Sequence, residues 1–444
     1  MSQLALLPES GVDATVAYHG AAPVSRMEFL RDVLAVAERL PDTGHILNLC
    51  KDRYWFAAAL FASIVRGSLS VLPNSIAPEI VAGLRNDFPD LICLGDQSAA
   101  PVQMAYMRVQ TCRDDRGPAD LSVPRIPADR IAMLVYTSGS TGKPRHHAKT
   151  FGQMCTGAVA EAKRMWAAAG GSCTVLGTVP YQHMYGLEST VFLPLLGDGR
   201  LSSRQPFFPA DVVAALAEIP APRLLVTTPF HLRKLLETDI EYPAVAAIVS
   251  ATAPMSVELA AQAEARLGAP VLEIYGSTET GQIATRLPTR NTEWATYEGI
   301  ELKLQNGVAV VSGGPLPAPE ILNDVIEPRG MHRFRLLGRQ ADMVNVAGKR
   351  SSLAYLNQVI AGIPGVVDGA FCVPEIHHRQ DFTRLVAFVV APGLDAQHIR
   401  ASLLQTLDPV FLPRPIIFLD ALPRDGNGKL SASAMASLIA MHLP

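Results

Sequence analysis

The chain has 444 residues, 49% of them hydrophobic and 18% charged, with 38 basic and 41 acidic residues and a net charge of −3. That length supports two or three domains around a large core, and a near-neutral chain without a basic tract speaks against a nucleic-acid binder. The longest apolar stretch, Trp55 to Leu72, is broken by Arg66 and Gly67 and the N-terminus lacks a basic leader, so neither an integral membrane segment nor a signal peptide is expected. In chain order, Ile46 to Leu49 reads as a strand, Arg53 to Val65 as a helix, Ser70 to Leu72 as a strand and Pro78 to Arg85 as a helix. Ile131 to Val135 is an apolar run that ends in a loop, and Gln153 to Ala169 reads as a helix. Strands at Thr174 to Val179, Arg223 to Thr227, Ala246 to Ser250 and Val271 to Tyr275 follow, with helical stretches such as Val257 to Leu267 between them. Alternating β and α predicts an α/β domain of helix-covered, mainly parallel sheets, with ligands beyond the carboxyl ends of the strands.

The character changes after Arg339. A short strand (Val344 to Val346), a helix (Leu353 to Ile363), strands at Gly369 to Val373 and Arg384 to Val390, a helix (Ala396 to Leu407), a strand (Pro415 to Leu419) and a last helix (Ala432 to His442) read as a small α+β domain. The expected division is 1–338, a short hinge at 339–342, and a mobile C-terminal domain at 343–444. Six scattered cysteines without a Cys-x-x-Cys or a Cys/His cluster predict neither zinc nor disulfides and fit a reducing cytoplasm.

The most informative segment is Tyr136-Thr137-Ser138-Gly139-Ser140-Thr141-Gly142-Lys143. Gly139 and Gly142 allow positive φ and close backbone approach, and the freed N–H groups with four hydroxyls can cradle phosphate oxygens. A Walker A loop would need glycine where Thr137 stands. Taken alone, the segment reads first as an ordinary Gly/Ser turn.

It resembles the phosphate loop of adenylate-forming enzymes, the superfamily of acyl-CoA synthetases, luciferases and nonribosomal-peptide adenylation domains. Tyr275-Gly276-Ser277-Thr278-Glu279-Thr280, Asp324, Gly338-Arg339 and Gly428-Lys429 resemble its other signatures and stand in the family's order. The resemblance implies the adenylate-forming fold and an ATP- and Mg²⁺-dependent reaction that joins a carboxylate to AMP and releases pyrophosphate. By resemblance, Thr137 to Gly142 and Arg145 hold phosphates, with Arg145 where the family usually has lysine. Tyr275, Gly276 and Ser277 meet the adenine side, Thr278 contacts the α-phosphate, Glu279 holds Mg²⁺, and Asp324 and Arg339 bind ribose. Asp324 lacks the usual Thr-Gly before it and is chosen for its fifteen-residue distance to Arg339. His146 and His147 read as surface residues.

Lys429 resembles the C-terminal lysine that bridges carboxylate and α-phosphate, and Gly348, Lys349 and Arg350 the segment lining a thiol tunnel. Pro180 to Gly186 resembles Pro-x-x-His-x-x-Gly, with His183 beside the forming adenylate. Met184 stands where amino-acid-activating relatives carry Asp, so a free amine would lie unpaired there. Tyr181, Met184, Tyr185, Thr227, Thr228 and Ser250, Ala251 and Thr252, with Gly276, are expected to line a mostly apolar pocket with a few hydroxyls, suiting a hydroxybenzoate-like ring or an acyl chain. The expected activity is an AMP-forming ligase passing the acyl group to a phosphopantetheine thiol, of CoA or of a separate acyl carrier protein. A fatty acyl-CoA synthetase and a non-catalytic binder of nucleotide or acyl-adenylate are the alternatives.

Overall fold

The computed structural model describes residues 2–443 apart from 10, 12, 74, 113–121, 138–144, 340–342, 347–348, 375–384, 425–427 and 429. Two sheets organise the large N-terminal part. The first runs Arg145–Thr150, Ile131–Thr137, Leu69–Leu72, His45–Asn48, Ile92–Gly95, Tyr106–Arg108, parallel except for its first pair. The second has eleven strands. Its parallel centre is Val271–Ser277, Ala247–Ser250, Arg223–Thr227, Thr174–Gly177, Arg200–Ser202 and Thr15–His19. The expected βα alternation produces this centre, because each parallel pairing needs a crossover helix.

The helices start and stop where local chemistry dictates. Arg53–Arg66 begins at Asp52, whose carboxylate accepts from the N–H groups of Tyr54 and Trp55, and ends at Gly67 with φ +79°. Phe151–Ala169 opens with a reciprocal Thr150/Gln153 capping box. Arg53–Arg66 is apolar nearly all round because it is covered on every side. Phe56 and Phe61 are fully buried in a core shared with Phe29 and Phe192.

Two regions depart from the expected parallel pattern. Residues 145–150 form a strand antiparallel to Ile131–Thr137 instead of a loop. The stretch from Gly281 to Arg339, which showed no elements in the sequence, supplies antiparallel strands. Gly281–Arg286, Trp294–Thr296, Arg333–Arg339 and Asp324–Pro328 extend the large sheet beyond Val271–Ser277. Ile300–Gln305, Val308–Gly313 and Glu320–Ile321 make a separate three-stranded sheet.

The C-terminal part has a hairpin, Met343–Val346 with Lys349–Ser352, and a small sheet of Asp368–Cys372, Val386–Val390 and Ile416–Phe418. Helices Leu353–Ala361 and Ala396–Leu404 cover one core of this sheet through Leu356, Ile360, Ile399 and Leu403, and Ala432–His442 adds Leu438 to another. Among the described residues no helix is long and apolar enough to cross a membrane, and no group of His, Cys, Asp or Glu could hold a metal by itself. Cys50, Cys93, Cys155, Cys173 and Cys372 are free thiols.

Candidate active site

The two sheets meet where the strand Ile131–Thr137 and its antiparallel partner Arg145–Thr150 touch the turn after Val271–Ser277. Thr137 pairs with Arg145 across that hairpin. Ser138, Gly139, Ser140, Thr141 and Gly142, between them, lie outside the described residues. A strand alternates faces, so Arg145, His147 and Lys149 share one side. His147 Nε2 stands 3.5 Å from Glu279 Oε1 and 3.4 Å from Thr137 Oγ1. Lys149 Nζ donates to the Glu279 carbonyl at 2.7 Å although only 5% of Lys149 is exposed. The expectation of His147 as a surface residue is therefore corrected. The period of two after the loop was the signal that could have shown it.

The turn itself is closed by its own hydroxyls. Ser277 N–H donates to Thr280 Oγ1 at 3.1 Å, and Thr280 N–H returns to Ser277 Oγ at 3.2 Å. This leaves Glu279 projecting, about half exposed. Burial pushes its carboxyl up, but hydrogen bonds from its own backbone and Ser277 and the charges of His147 and Lys149 outweigh that, so its pKa falls below the ordinary value. A carboxylate kept ionised suits a hard divalent cation. Burial lowers the pKa of His147 although Glu279 acts to raise it, so the imidazole is a weaker cation beside that carboxylate than a free histidine.

On the nucleotide side, Tyr275 donates its hydroxyl to Asp324 Oδ2 at 2.6 Å. Its ring packs edge-on against Phe334 and tilted against Trp294, both centroids 5.5 Å away. Asp324 is the first residue of its strand and lies directly opposite Arg339 in the ladder. The fifteen-residue spacing is thus the length of a hairpin that returns to the same place. The Arg339 side chain is outside the described residues, as are Gly348 and the side chains of Lys349 and Arg350.

The acyl side is built from the segment after Pro180. His183 caps a short helix, Met184–Leu187, which continues as a π turn over Glu188–Phe192 and then as Leu193–Leu196. Gly186 is demanded by space, since a Cβ there would collide with the Pro180 carbonyl. Thr190 donates its hydroxyl to the Gly186 carbonyl at 2.5 Å, satisfying an acceptor that the wider turn releases. Tyr185 reaches across to the strand ends, its hydroxyl shared between the carbonyls of Thr227 (2.9 Å) and Val249 (3.1 Å). Ser250 is fully buried and its Oγ has no hydrogen-bond partner; Ala251 is 7% exposed, and Thr252 is exposed at φ +79°.

Tyr181 is not brought to this cleft. It is fully buried between Phe56 (4.8 Å) and the Arg53 guanidinium (5.3 Å to the ring), and its hydroxyl donates to the Cys50 carbonyl at 2.8 Å. Arg53 in turn donates to the Ser202, Arg204 and Gly177 carbonyls. Tyr181 is therefore part of a polar joint between the two sheets.

Sequence reasoning passed over a set of buried polar groups beneath the π turn. Tyr297 donates to Gln282 Oε1, Gln282 Nε2 to Ser189 Oγ, and Ser189 Oγ to Glu161 Oε1 at 2.6 Å. Glu188, on the same turn, accepts from the Gln282 N–H at 3.3 Å. Glu161, Glu188 and Ser189 lie in helical stretches, Gln282 in a strand and Tyr297 just after one, and no pattern there singles them out.

Lys429 lies outside the described residues, but its neighbour Gly428 does not. Gly428 has φ +76°, and a Cβ there would meet Phe230 Cβ at 2.8 Å. Phe230 opens the helix Pro229–Leu236 at the carboxyl end of Arg223–Thr227. The C-terminal loop is thereby seated on the same strand edge as Thr227 and Ser250.

The sequence matches the AMP-binding enzyme family over residues 33–318 and the AMP-binding enzyme C-terminal domain over 356–429. The chain belongs to the AMP-binding enzyme family. It is an ATP-dependent acid–thiol ligase of the AMP-forming kind. A 4-coumarate–CoA ligase of Rhodobacter capsulatus is 30% identical over 304 residues, covering 67% of this chain and 74% of that protein. The fold matches ATP-bound MatB from Rhodopseudomonas palustris with a TM-score of 0.80, 17% identity and 97% coverage of both chains. It also matches o-succinylbenzoate CoA synthetase (MenE) from Bacillus subtilis in complex with its acyl-adenylate OSB-AMP, at a TM-score of 0.77, 20% identity and 92% coverage of both.

Proposed function

We propose that this AMP-binding enzyme activates an aryl, hydroxybenzoate-like, or acyl carboxylate as its adenylate and passes it to a phosphopantetheine thiol in the cytoplasm. The observation that carries this reading is that four separated segments are brought to the large sheet. Tyr275 is bonded to Asp324, Asp324 faces Arg339, and Gly428 sits on Phe230. Asp324 and Arg339 would hold ribose, Tyr275 the adenine, and Thr137 to Gly142 with Arg145 the outgoing phosphates. Thr278 would contact the α-phosphate and Glu279 would hold Mg²⁺, which neutralises phosphate charge. Lys429 would place the carboxylate for in-line attack, so that catalysis is positioning and charge stabilisation. His183, Met184, Ser250, Ala251, Thr252 and Gly276 would surround the acid. Residues 339–342 would be the hinge, and rotation of 343–444 would bring Gly348, Lys349 and Arg350 to the thiol.

An aromatic acid is favoured by the 4-coumarate–CoA ligase relative. CoA is favoured over a carrier protein because that relative is named for CoA. Carboxylate-dependent ATP–pyrophosphate exchange over hydroxybenzoates, cinnamates, fatty acids and amino acids tests the reading. Exchange with aromatic acids and not with amino acids is expected. Exchange confined to long fatty acids would replace the substrate class, and none with any acid would overturn the proposal.

A further inference from the structure

We propose that Glu188 is the specificity-determining residue of the acyl pocket and selects acids that carry a hydroxyl group away from the carboxylate. This rests on the ligase reading above and concerns the same site.

Glu188 stands close behind the place where the acid would lie. Gly276 packs directly on the Gly281 carbonyl, with no room for a Cβ. On the other side of Gly281, the position of its missing Cβ is 2.7 Å from Glu188 Oε1 and 3.7 Å from Met184 Cε. The Glu188 carboxylate thus shares one small space with Met184, one backbone layer from Gly276. The carboxyl is surrounded by protein, which raises its pKa to about 7, yet the residue keeps accessible surface.

Its polar needs are incompletely met. Among the described residues its hydrogen bonding comes from Gln282 alone, with a long 3.3 Å bond from the backbone N–H. A carboxylate offers about four acceptor sites. The opposing charge is that of Lys149, itself buried and bonded to the Glu279 carbonyl. A buried acid group beside the Met184 methyl, held by one long hydrogen bond, has acceptor capacity left for a further polar partner. A hydroxyl fits it in either protonation state, because it donates to a carboxylate and accepts from a carboxylic acid. The π turn that carries Glu188 supports the assignment, since such turns are concentrated at functional sites.

The experiment compares matched pairs, benzoate with 3- and 4-hydroxybenzoate and cinnamate with 4-hydroxycinnamate, by pyrophosphate exchange. In the unaltered protein at least one hydroxy acid should exceed its parent in kcat/KM by about ten- to a hundredfold. Glu188→Leu should bring that ratio to within about threefold of unity while the KM for ATP stays put, with Glu188→Gln between the two. A structural role alone would lower both members of a pair together and leave the ratio intact, which overturns the proposal. So would equal kcat/KM for hydroxylated and parent acids in the unaltered protein, whatever the variants do. In either case exchange itself persists and the ligase reading stands, whereas no exchange with any acid sinks both.

Discussion

Burial holds the Glu161 carboxyl at about 8, against 4.5 for the free group, because desolvation exceeds the help from Ser189 and Gln282. Below pH 4.5 both folded and unfolded chains carry this proton, and its contribution to stability is complete. As pH rises from 4.5 through 8 the unfolded chain releases the proton first, so stability is lost over that window, on the order of 5 kcal/mol by pH 9. Glu161→Gln keeps an acceptor for Ser189 and removes the charge. Its melting temperature should match the parent at pH 5 and exceed it by a few degrees at pH 9; parallel pH curves would show that another group is responsible. Tyr181 teaches a different lesson. Its place beside His183 made it a pocket residue by proximity in sequence, but Arg53 and Cys50, from a distant segment, claim it for the joint between sheets. Tyr181→Phe orphans the Cys50 carbonyl and should cost about 1–2 kcal/mol in denaturant titrations. The ranking of acids should not move, and a changed ranking would return Tyr181 to the pocket.

The parallel strands were legible because they are short apolar runs bounded by turns, and Arg223–Thr227 and Val257–Leu267 fall where the pattern puts them. The antiparallel extension was not, for a physical reason. Gly281–Arg286 buries Gln282 and Thr285, whose partners come from Ser189, Tyr297 and neighbouring strands. Inward polar residues erase the alternation that marks a half-buried strand. The extension is fastened at its near end by Arg286, whose Nε lies 2.6 Å from Glu273 Oε2 and whose guanidinium lies 4.8 Å from the Trp294 ring centroid. Glu273 is 3% exposed and its other oxygen accepts from the Met255 N–H at 2.8 Å. Arg286→Ala would leave that carboxylate buried without a cation, a loss of about 3–5 kcal/mol. Replacing both partners, Glu273→Gln with Arg286→Met, should recover most of it. A double variant no more stable than the single one would mean that the guanidinium acts through its packing on Trp294 instead.

Across the whole molecule, the motifs were legible by their order along the chain, which is the order of the family that the chain belongs to. Where the C-terminal part rests was not legible, since no pattern in the sequence fixes it. Besides the packing of Leu353–Ala361 on Arg333–Arg339, Gly428 rests on Phe230, with a clamp behind it. Arg424 is bidentate to Asp368 at 2.7 Å through Nε and Nη2, and donates to the Gly428 carbonyl at 3.1 Å. That clamp ties the residue before Lys429 to the strand Asp368–Cys372, so the loop moves with its own sheet. A side chain at Gly428 faces two penalties, a left-handed backbone and a collision with Phe230. Gly428→Ala should therefore weaken the seated arrangement specifically. Pyrophosphate exchange should fall about tenfold, and about a thousandfold in Lys429→Ala, which removes the cation itself. Transfer from chemically prepared acyl-adenylate to CoA needs neither the seat nor the lysine and should fall less than threefold in both. Equal losses in the two half-reactions would show that Gly428 supports the fold of its domain and not its docking, because an unfolded domain fails at both steps while an unseated one fails only at the first.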